Sequence, residues 1–410
     1  MKSSFVLFLF LAAGLFGVSC KNNSPTDPEV PVPPWEIGQL AEAVLGQSNF
    51  TSSAVLALGQ NSVNKPYGLA ISATGTLFVV DQLDAHRILR FDNANTKANG
   101  SNADGVLGQP DFTTETWNYG LGGSAPSSRG LESPISITLD ASGNLYVADQ
   151  ANGRVLRFNN AASKANGDSA DAVLGRPDFT SKGFGTTQNE FYVPQAVAVD
   201  ASGNLYVADG SNNRVLRFSN AAAKANGANA DGVLGQSTYT TGSTGAGANQ
   251  MSNPSSLAVD KNGHLYVGDR GNSRVLIFLN AAAKANGAAA DLVLGKSAFG
   301  DGSTPPSATS TSIHTPYALA VDGNNNLYVA DGLFNRVLVF YNAPSKSNGA
   351  SADAVLGKKD FTSSAVTAAA ADNVGQPFGL AVHSATGKLY VSCYSNARIL
   401  RFQSKSALSP

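Results

Sequence analysis

The feature that most constrains this chain is a segment that repeats six times, at intervals of 60 to 68 residues. Its consensus is P-x-x-(apolar)-A-V-D-x-x-G-N-L-Y-V-A-D-x-x-N-x-R-V-L-R-F, and each copy has one V-L-G module. Four short apolar runs per copy, bounded by Gly, Asn, Asp or Pro, predict four antiparallel strands. Such a sheet cannot cover both of its faces alone, so six of them must stack together. The copies begin at Pro66, Pro134, Pro194, Pro254, Pro316 and Pro377, and the V-L-G modules at Val44, Val106, Val173, Val233, Val293 and Val355.

The two sets of six modules are offset along the chain. The first V-L-G, at Val44, precedes the first proline unit, and the last unit ends at Phe402 with no V-L-G after it. Residues 43–47 should therefore pair with Arg398 to Phe402 and remove an exposed sheet edge. The sequence predicts an all-β fold over residues 39–403: a six-bladed β-propeller of four-stranded antiparallel blades, closed by an N-terminal strand.

The core of the repeat carries a family resemblance. Tyr206 to Arg214 read Y-V-x-D-x-x-N-x-R, which resembles the NHL repeat. The resemblance extends over nearly all of residues 44–403 and implies a propeller. It indicates fold rather than activity, because the family includes scaffolds, sensors, RNA binders and lyases.

The N-terminus predicts export. Phe5 to Val18 form an apolar run too short to span a bilayer permanently, and the run leads to Cys20. This pattern resembles a bacterial lipoprotein signal, although Gly17 departs from the usual larger aliphatic residue; a plain secretory signal is the alternative. We expect a signal peptide at 1–19, a lipid-anchored, proline-rich tether at 20–38 and a C-terminal tail at 404–410.

Composition limits the kinds of partner that the protein can bind and the cellular location that we expect for it. The formal net charge is −1, which does not favour a nucleic-acid partner. If Cys20 is lipidated, Cys393 has no disulfide partner within the chain. No acid directly follows Cys20, so we expect a monomer anchored by lipid in the cell envelope, at the outer membrane or cell surface.

A repeated Asp–Arg pair resembles a charged site copied around the ring. A catalytic residue has no reason to recur in every blade, whereas a turn does, so we expect a structural ion pair. Blades one and six depart from the five-residue spacing: Asp81 precedes Arg87 by six, and Ser392, without a carboxylate, precedes Arg398 by six. The regular pairs are Asp149/Arg154, Asp209/Arg214, Asp269/Arg274 and Asp331/Arg336.

A second recurrent segment follows the third strand. Residues such as Asn220 to Asp231 (N-A-A-A-K-A-N-G-A-N-A-D) predict a helical turn with an asparagine N-cap and a left-handed Asn-Gly stop. A calcium loop is the alternative, but the alternating carboxylate spacing of such loops is missing.

The loops from fourth to first strand vary most between copies, and binding sites are commonly built on variable loops of a rigid scaffold. The longest loop, 110–133, is rich in aromatic and charged residues, as is loop 177–193. These loops share one face with the second-to-third turns. Aromatic residues with a few charges suit a protein, peptide or glycan ligand. The candidate ligand-binding residues are Trp117, Tyr119, Arg129, Tyr192, Phe334 and Tyr394.

No catalytic constellation is predicted, and neither a metal site nor a cofactor. His86 and His314 fall on the loop-rich face but in separate blades, and His264 and His383 fall on the opposite face. Two hypotheses remain: a binding or scaffold module, or a metal-assisted lyase or lactonase with a divalent metal in the central channel. Channel-facing His, Glu or Asp would favour the lyase; Ala, Ser and backbone would favour the binding module.

Overall fold

The computed structural model describes Met1 and residues 34–121 and 126–405. Residues 2–33, which include the rest of the predicted signal peptide and Cys20, and residues 406–410 lie outside the described residues. The described chain forms six four-stranded antiparallel sheets arranged in a ring, which confirms the predicted propeller. Within these residues, no helix has the length and apolar character needed to cross a membrane.

Each proline unit forms one blade, with its first strand innermost and its fourth strand outermost. Strand β1 (Ala43–Leu45) precedes blade one. Blade one contains β2 (Pro66–Ile71), β3 (Leu77–Asp81), β4 (Arg87–Phe91) and β5 (Gly105–Leu107). Blade two contains β6 (Pro134–Leu139), β7 (Leu145–Asp149), β8 (Arg154–Phe158) and β9 (Ala172–Leu174). Blade three contains β10 (Pro194–Val199), β11 (Leu205–Asp209), β12 (Arg214–Phe218) and β13 (Gly232–Leu234).

The second half of the ring repeats this order. Blade four contains β14 (Pro254–Val259), β15 (Leu265–Asp269), β16 (Arg274–Phe278) and β17 (Leu292–Leu294). Blade five contains β18 (Pro316–Val321), β19 (Leu327–Asp331), β20 (Arg336–Phe340) and β21 (Ala354–Leu356). Blade six contains β22 (Pro377–His383), β23 (Lys388–Cys393), β24 (Arg398–Gln403) and β1.

Single-turn 3₁₀ helices occupy two kinds of connection. In the second-to-third turns they are Gln150–Asn152, Gly210–Asn212, Arg270–Asn272, Gly332–Phe334 and Tyr394–Asn396. After the third strands they are Ala161–Ser163, Ala221–Ala223, Ala281–Ala283 and Ala343–Ser345.

The ring closes as the module offset predicts. Strand β1 pairs antiparallel with β24, and Val44 lies opposite Leu400. Glu42 reinforces the closure, because its Oε1 accepts a hydrogen bond from Arg401 Nε at 2.6 Å and lies against Lys388. The N-terminal strand therefore covers the edge that blade six would otherwise expose.

The packed part of the chain begins earlier than residue 39. Trp35 falls in the segment expected to be a tether, yet only 2% of its surface is exposed. Its Nε1 donates to the hydroxyl of Tyr328 in blade five at 2.8 Å, and the two rings meet edge to face. The predicted boundary at residue 38 is therefore wrong for Trp35, since a large ring that buries its surface belongs to the core.

The hydrophobic core lies between neighbouring blades. Between blades two and three, Tyr146 and Val155 pack with Val207 and Leu216. Each blade thereby buries one face against the preceding blade and one against the next. This arrangement explains why the second and third strands read as almost continuous apolar runs.

The segment after the third strand links blades, and its predicted asparagine N-cap is wrong. Asn220 has φ 49° and forms no side-chain cap. Asn226 Oδ1 instead accepts a hydrogen bond from the backbone N–H of Val173, in the outermost strand of the preceding blade, at 3.0 Å. Gly227, whose φ of 67° is left-handed as expected, donates to Val173 O. In the described residues, no group of three or more His, Cys, Asp or Glu could hold a metal ion.

Candidate functional site

The repeated Asp–Arg pair is a buried structural element that fixes the variable loops. Asp209 and Arg214 are both fully buried, and Asp209 Oδ2 accepts from Arg214 Nε at 2.9 Å. Asp209 Oδ1 accepts from the backbone N–H of Tyr192 at 2.8 Å. Arg214 Nη2 donates to the carbonyls of Thr187 and Glu190, at 3.0 and 2.8 Å. The ion pair thus holds the preceding fourth-to-first loop in place, as its structural interpretation requires.

The two departures from the regular spacing have different outcomes. In blade one, the extra residue leaves the pair intact, with Arg87 Nη2 at 2.9 Å from Asp81 Oδ2. In blade six, the residue opposite Arg398 is Cys393, not Ser392 as predicted by counting. Ser392 points elsewhere, because its hydroxyl donates to Tyr67 O at 2.8 Å. The carboxylate is lost, as predicted, but at Cys393.

The first strands surround a central cavity of about 420 Å³. This volume falls in the range of about 300–1,000 Å³ that is typical of small-molecule sites. The cavity reaches the second-to-third turns, so it opens on the face that carries the variable loops. Its lining residues with polar or aromatic side chains are Tyr67, Gln82, Ser133, Ser136, Gln150, Gln195, Ser255, Ser256, Arg270, Tyr317 and Phe378.

Two positions of each repeat shape the mouth of this cavity. One follows the proline and the other follows the aspartate, and strand pairing brings them together, as Pro194 opposite Asp209 shows. The sequence analysis did not identify these positions as a ring. The sequence signal that could have identified this ring is the variation of these two positions between otherwise similar copies. After the proline they are Tyr67, Ile135, Gln195, Ser255, Tyr317 and Phe378; after the aspartate or Cys393 they are Gln82, Gln150, Gly210, Arg270, Gly332 and Tyr394.

Blades five, six and one form an aromatic wall. The ring of Phe378 lies 4.1 Å from Tyr317 and 4.7 Å from Tyr67, measured between centroids. Tyr394 meets Phe378 edge to face at 4.7 Å and lies under the ammonium of Lys65, 4.4 Å from its ring centroid. These rings stack on one another and give one side of the cavity an aromatic surface with hydroxyl groups.

Glutamines from the first three blades form an amide wall. Gln150 Nε2 donates to Gln195 Oε1 at 3.2 Å. Gln82 is only 6% exposed, and its side-chain amide forms no hydrogen bond within the described part of the chain. A nearly buried amide without a partner favours a ligand that supplies one.

Arg270 in blade four is the charged member of the described lining. It is half-buried, and its guanidinium has no hydrogen bond or ion pair with any described residue.

Burial raises the pKa of Tyr67 to about 12. The neighbouring Tyr394 and Tyr317 also raise this pKa, and Arg270 lowers it. The Tyr67 hydroxyl therefore stays neutral at physiological pH and can donate a hydrogen bond.

Among the candidates predicted from the loops, Trp117 and Tyr192 are exposed on the variable loops. Trp117 is 40% exposed and meets His86 edge to face at 5.9 Å. Tyr192 is 46% exposed and packs against Phe184, with ring centroids 5.4 Å apart. Both pairs are available to a large ligand, but neither lines the cavity.

The other candidates are dispersed. Tyr119 and Arg129 contact each other on the outer side of the ring, where Arg129 Nε donates to Ser169 Oγ at 3.2 Å. Phe334 is buried against His314, with ring centroids 5.2 Å apart, and does not offer the surface contact we expected. Tyr394 alone of the six joins the described aromatic wall.

The four histidines have separate local partners. His86 Nδ1 accepts from the N–H of Ser133 at 3.0 Å, and burial lowers the pKa of His86. His314 Nδ1 lies 2.8 Å from Thr315 Oγ1. On the opposite face, His264 Nδ1 accepts from the N–H of Asn280, and His383 contacts Thr386 of its own turn and Ala73 and Asn95 of blade one. The histidines do not converge on the cavity.

Comparison with known proteins agrees with the repeat. The family model described as NHL repeat matches residues 191–218 and 251–278, which run through the third strands of blades three and four. A mouse protein described as NHL repeat-containing protein 3 is 31% identical over 109 residues. That match spans 26% of this chain and 27% of the mouse protein, so the chain spans about a quarter of its relative's length.

Solved structures agree on the fold alone. A protein of unknown function from Bacteroides thetaiotaomicron superposes with a TM-score of 0.53 at 14% identity, covering 88% of this chain and 75% of the other. A gluconolactonase from Xanthomonas campestris gives a TM-score of 0.48 at 15% identity, covering 90% and 98%, an overlap too loose to carry a functional argument. Repeat, family match and blade structure together show a six-bladed β-propeller with NHL repeats, which the family model matches in blades three and four.

Proposed function

We propose that this protein is a lipid-anchored, extracytoplasmic binding module whose ligand enters the central cavity from the loop-rich face. The observation that carries the proposal is the asymmetric lining, with aromatic rings on one side and amides and one guanidinium on the other. A purely structural ring would have no need for different residues at equivalent positions. Such variety at the mouth suits recognition of a polar small molecule or of the end of a glycan or peptide.

The lining favours binding over the lyase or lactonase alternative. Its described side chains are amides, hydroxyls, aromatic rings, aliphatic groups and Arg270, without His, Glu or Asp. These groups recognise a ligand well but provide no convergent set of metal ligands or carboxylate base. The alternative therefore has no specific observation in its favour.

The anchoring part of the proposal depends on the sequence around Cys20, which lies outside the described residues. Replacing Cys20 with Ala should abolish incorporation of labelled fatty acid and leave the protein soluble or unprocessed. Unchanged labelling of the variant would contradict the anchor.

The binding site can be tested by filling the cavity without disturbing the ring. Ser255 occupies the position at which other blades have tyrosine or phenylalanine, so Ser255→Phe should fold. We expect it to abolish capture of ligands from glycan and peptide arrays, while Ser202→Phe, on an exposed turn of the opposite face, should not.

Two results would overturn this proposal. Capture that survives Ser255→Phe but is lost in Trp117→Ala would move the site to the exposed loops. Conversion of a captured ligand into product by the purified wild-type protein would replace the binding role with catalysis.

A further inference from the structure

Resting on the proposed binding role, we infer that the cavity selects a carboxylated saccharide, such as a uronic-acid unit. Three features on separate blades carry the inference: the unpaired guanidinium of Arg270, the amides around Gln82, and the aromatic wall centred on Phe378. Each feature matches a different part of an acidic sugar, and all of them lie around one cavity of about 420 Å³.

Arg270 supplies the charge selectivity. Its guanidinium is half-buried and unpartnered among the described residues, while the arginines of the Asp–Arg pairs bind carboxylate or carbonyl groups. A planar guanidinium can hold a carboxylate through two parallel hydrogen bonds. No described lining residue carries a negative charge to compete for it, so the cavity favours an anion.

The amide wall suits hydroxyl groups. Each glutamine side chain offers donors and an acceptor, and each sugar hydroxyl can both donate and accept. Gln82 is 6% exposed with its amide unpartnered in the described structure, and Gln150 and Gln195 already orient each other. A ligand with several hydroxyls can satisfy these groups together.

The aromatic wall suits the C–H face of a sugar ring. Tyr317, Phe378 and Tyr67 present neighbouring rings with centroids 4.1 and 4.7 Å apart. Because Phe378 stacks with both tyrosine rings, the wall offers an apolar aromatic surface for contact with the C–H groups of a sugar and tyrosine hydroxyls beside it. The wall therefore complements a ring that is apolar on its face and polar at its edge.

A peptide with a free C-terminus is the competing ligand, since it could use Arg270 through its carboxylate. Peptide recognition usually relies on rows of backbone donors and acceptors. The first strands that line the cavity already pair with second strands of their own blades, for instance β10 with β11. The available polar groups are dispersed side chains, an arrangement that favours a saccharide.

The test measures the binding of tri-galacturonate and of its methyl ester by calorimetry at low ionic strength. The ester differs in charge but keeps the ring and the hydroxyls. We expect wild-type protein to bind the acid at least about tenfold more tightly than the ester. Arg270→Gln should remove this preference and keep ester binding. Lys261→Gln, which removes an exposed positive charge on a first-to-second-strand turn outside the cavity, should behave as wild type. Phe378→Leu should weaken both ligands.

The outcomes separate this inference from the proposed function. Equal binding of acid and ester, lost in Ser255→Phe, would refute charge selection and support the cavity as a binding site. Binding of peptide carboxylates that depends on Arg270, without saccharide binding, would refute the saccharide and again support the cavity. If Ser255→Phe captured every array ligand as well as wild type, both proposals would fail. Circular dichroism and melting curves would confirm that each variant is folded.

Discussion

Arg398 lies opposite Cys393 in the register of β23 and β24, where the five other blades pair an arginine with an aspartate. The guanidinium is fully buried, and its Nη2 donates to the carbonyls of Ala370 and Asn373, at 2.8 and 2.7 Å. Its Nε has no hydrogen-bond partner among the residues that the structure describes. Burial raises the pKa of the Cys393 thiol to about 12, so the thiol stays neutral and does not balance the arginine.

Cys393→Asp should therefore stabilise the protein. The new carboxylate would accept from Arg398 Nε, as Asp209 does from Arg214, and would place a negative charge beside a buried positive one. We expect a gain of about 1–3 kcal/mol in the free energy of unfolding, the usual contribution of a hydrogen bond to a charged group. Denaturant unfolding at pH 7 measures it.

The reciprocal change provides the control. Asp209→Cys should cost about 3–5 kcal/mol, because it leaves Arg214 buried without its carboxylate. If Cys393→Asp destabilised the protein as much as Asp209→Cys, the space around Arg398 would be adapted to sulfur and the pairing argument would not hold there.

An acid-dependent turn contains Phe179, whose carbonyl accepts a hydrogen bond from the buried Arg154. Asp178 Oδ1 accepts from the hydroxyl and N–H of Thr180 and from the N–H of Ser181, each at 2.8 Å. Hydrogen bonds from Thr180 and then Ser181 lower the pKa of Asp178 to about 2. Since this is below the ordinary value of about 3.9, the turn stabilises the fold above that pH and loses its contribution as pH falls towards 2.

Carboxyl-carbon NMR titration of Asp178 should give a midpoint near pH 2. Asp178→Asn should keep the turn, because Asn49 forms the same hydrogen bonds to Thr51 and Ser52 in the equivalent loop. The variant should show a smaller decrease in melting temperature between pH 4 and pH 2 than wild type. A midpoint near 4 would show that these hydrogen bonds do not persist in solution.

The sequence predicted the fold well because the same repeat determines the strands, the blades and the closure of the ring. Its apolar runs, turn residues and offset modules define strands, blades and closure, and all three were confirmed. Trp35 escaped prediction because it lies in a proline-rich segment outside the repeat, and only the three-dimensional ring brings it to Tyr328. Counting also failed at Cys393, where one position of register decides which side chain faces the arginine.

The candidate site was harder to predict, because it is formed by positions one residue away from the proline and the aspartate that recur in the repeat. Nothing in the repeat pattern indicated that Arg270, Gln82, Gln150 and Gln195 would line one cavity. Single polar residues 45 or more positions apart give no local pattern. They converge because the first strands surround one channel, so the site belongs to the closed ring rather than to a motif.

The N-terminal segment should contribute to stability through Trp35 as well as through β1. Trp35→Ala should cost about 3–5 kcal/mol, the usual penalty for removing a buried aromatic ring. Tyr328→Phe, which removes the hydroxyl that accepts from Trp35 and donates to Asp322, should cost less. Denaturant unfolding of both variants tests this order, and a Trp35→Ala protein as stable as wild type would show that the segment does not pack in solution.

Gly332 sets the position of Tyr317 in the aromatic wall. A Cβ at Gly332 would lie 2.0 Å from Tyr317 Cδ2 and 2.5 Å from Cε2, so Gly332→Ala must displace the ring. We expect it to cost about 1–3 kcal/mol by overpacking and to abolish the ring-to-ring NOE between Tyr317 and Phe378. Gly323→Ala in the same blade, where a Cβ meets nothing within 4 Å, is the matched control and should preserve the NOE.

Ligand affinity in the cavity should fall only in Gly332→Ala, because the aromatic wall then loses one ring. An intact Tyr317–Phe378 NOE in that variant would mean that the wall is held by neighbouring rings and not by the absence of a side chain at Gly332.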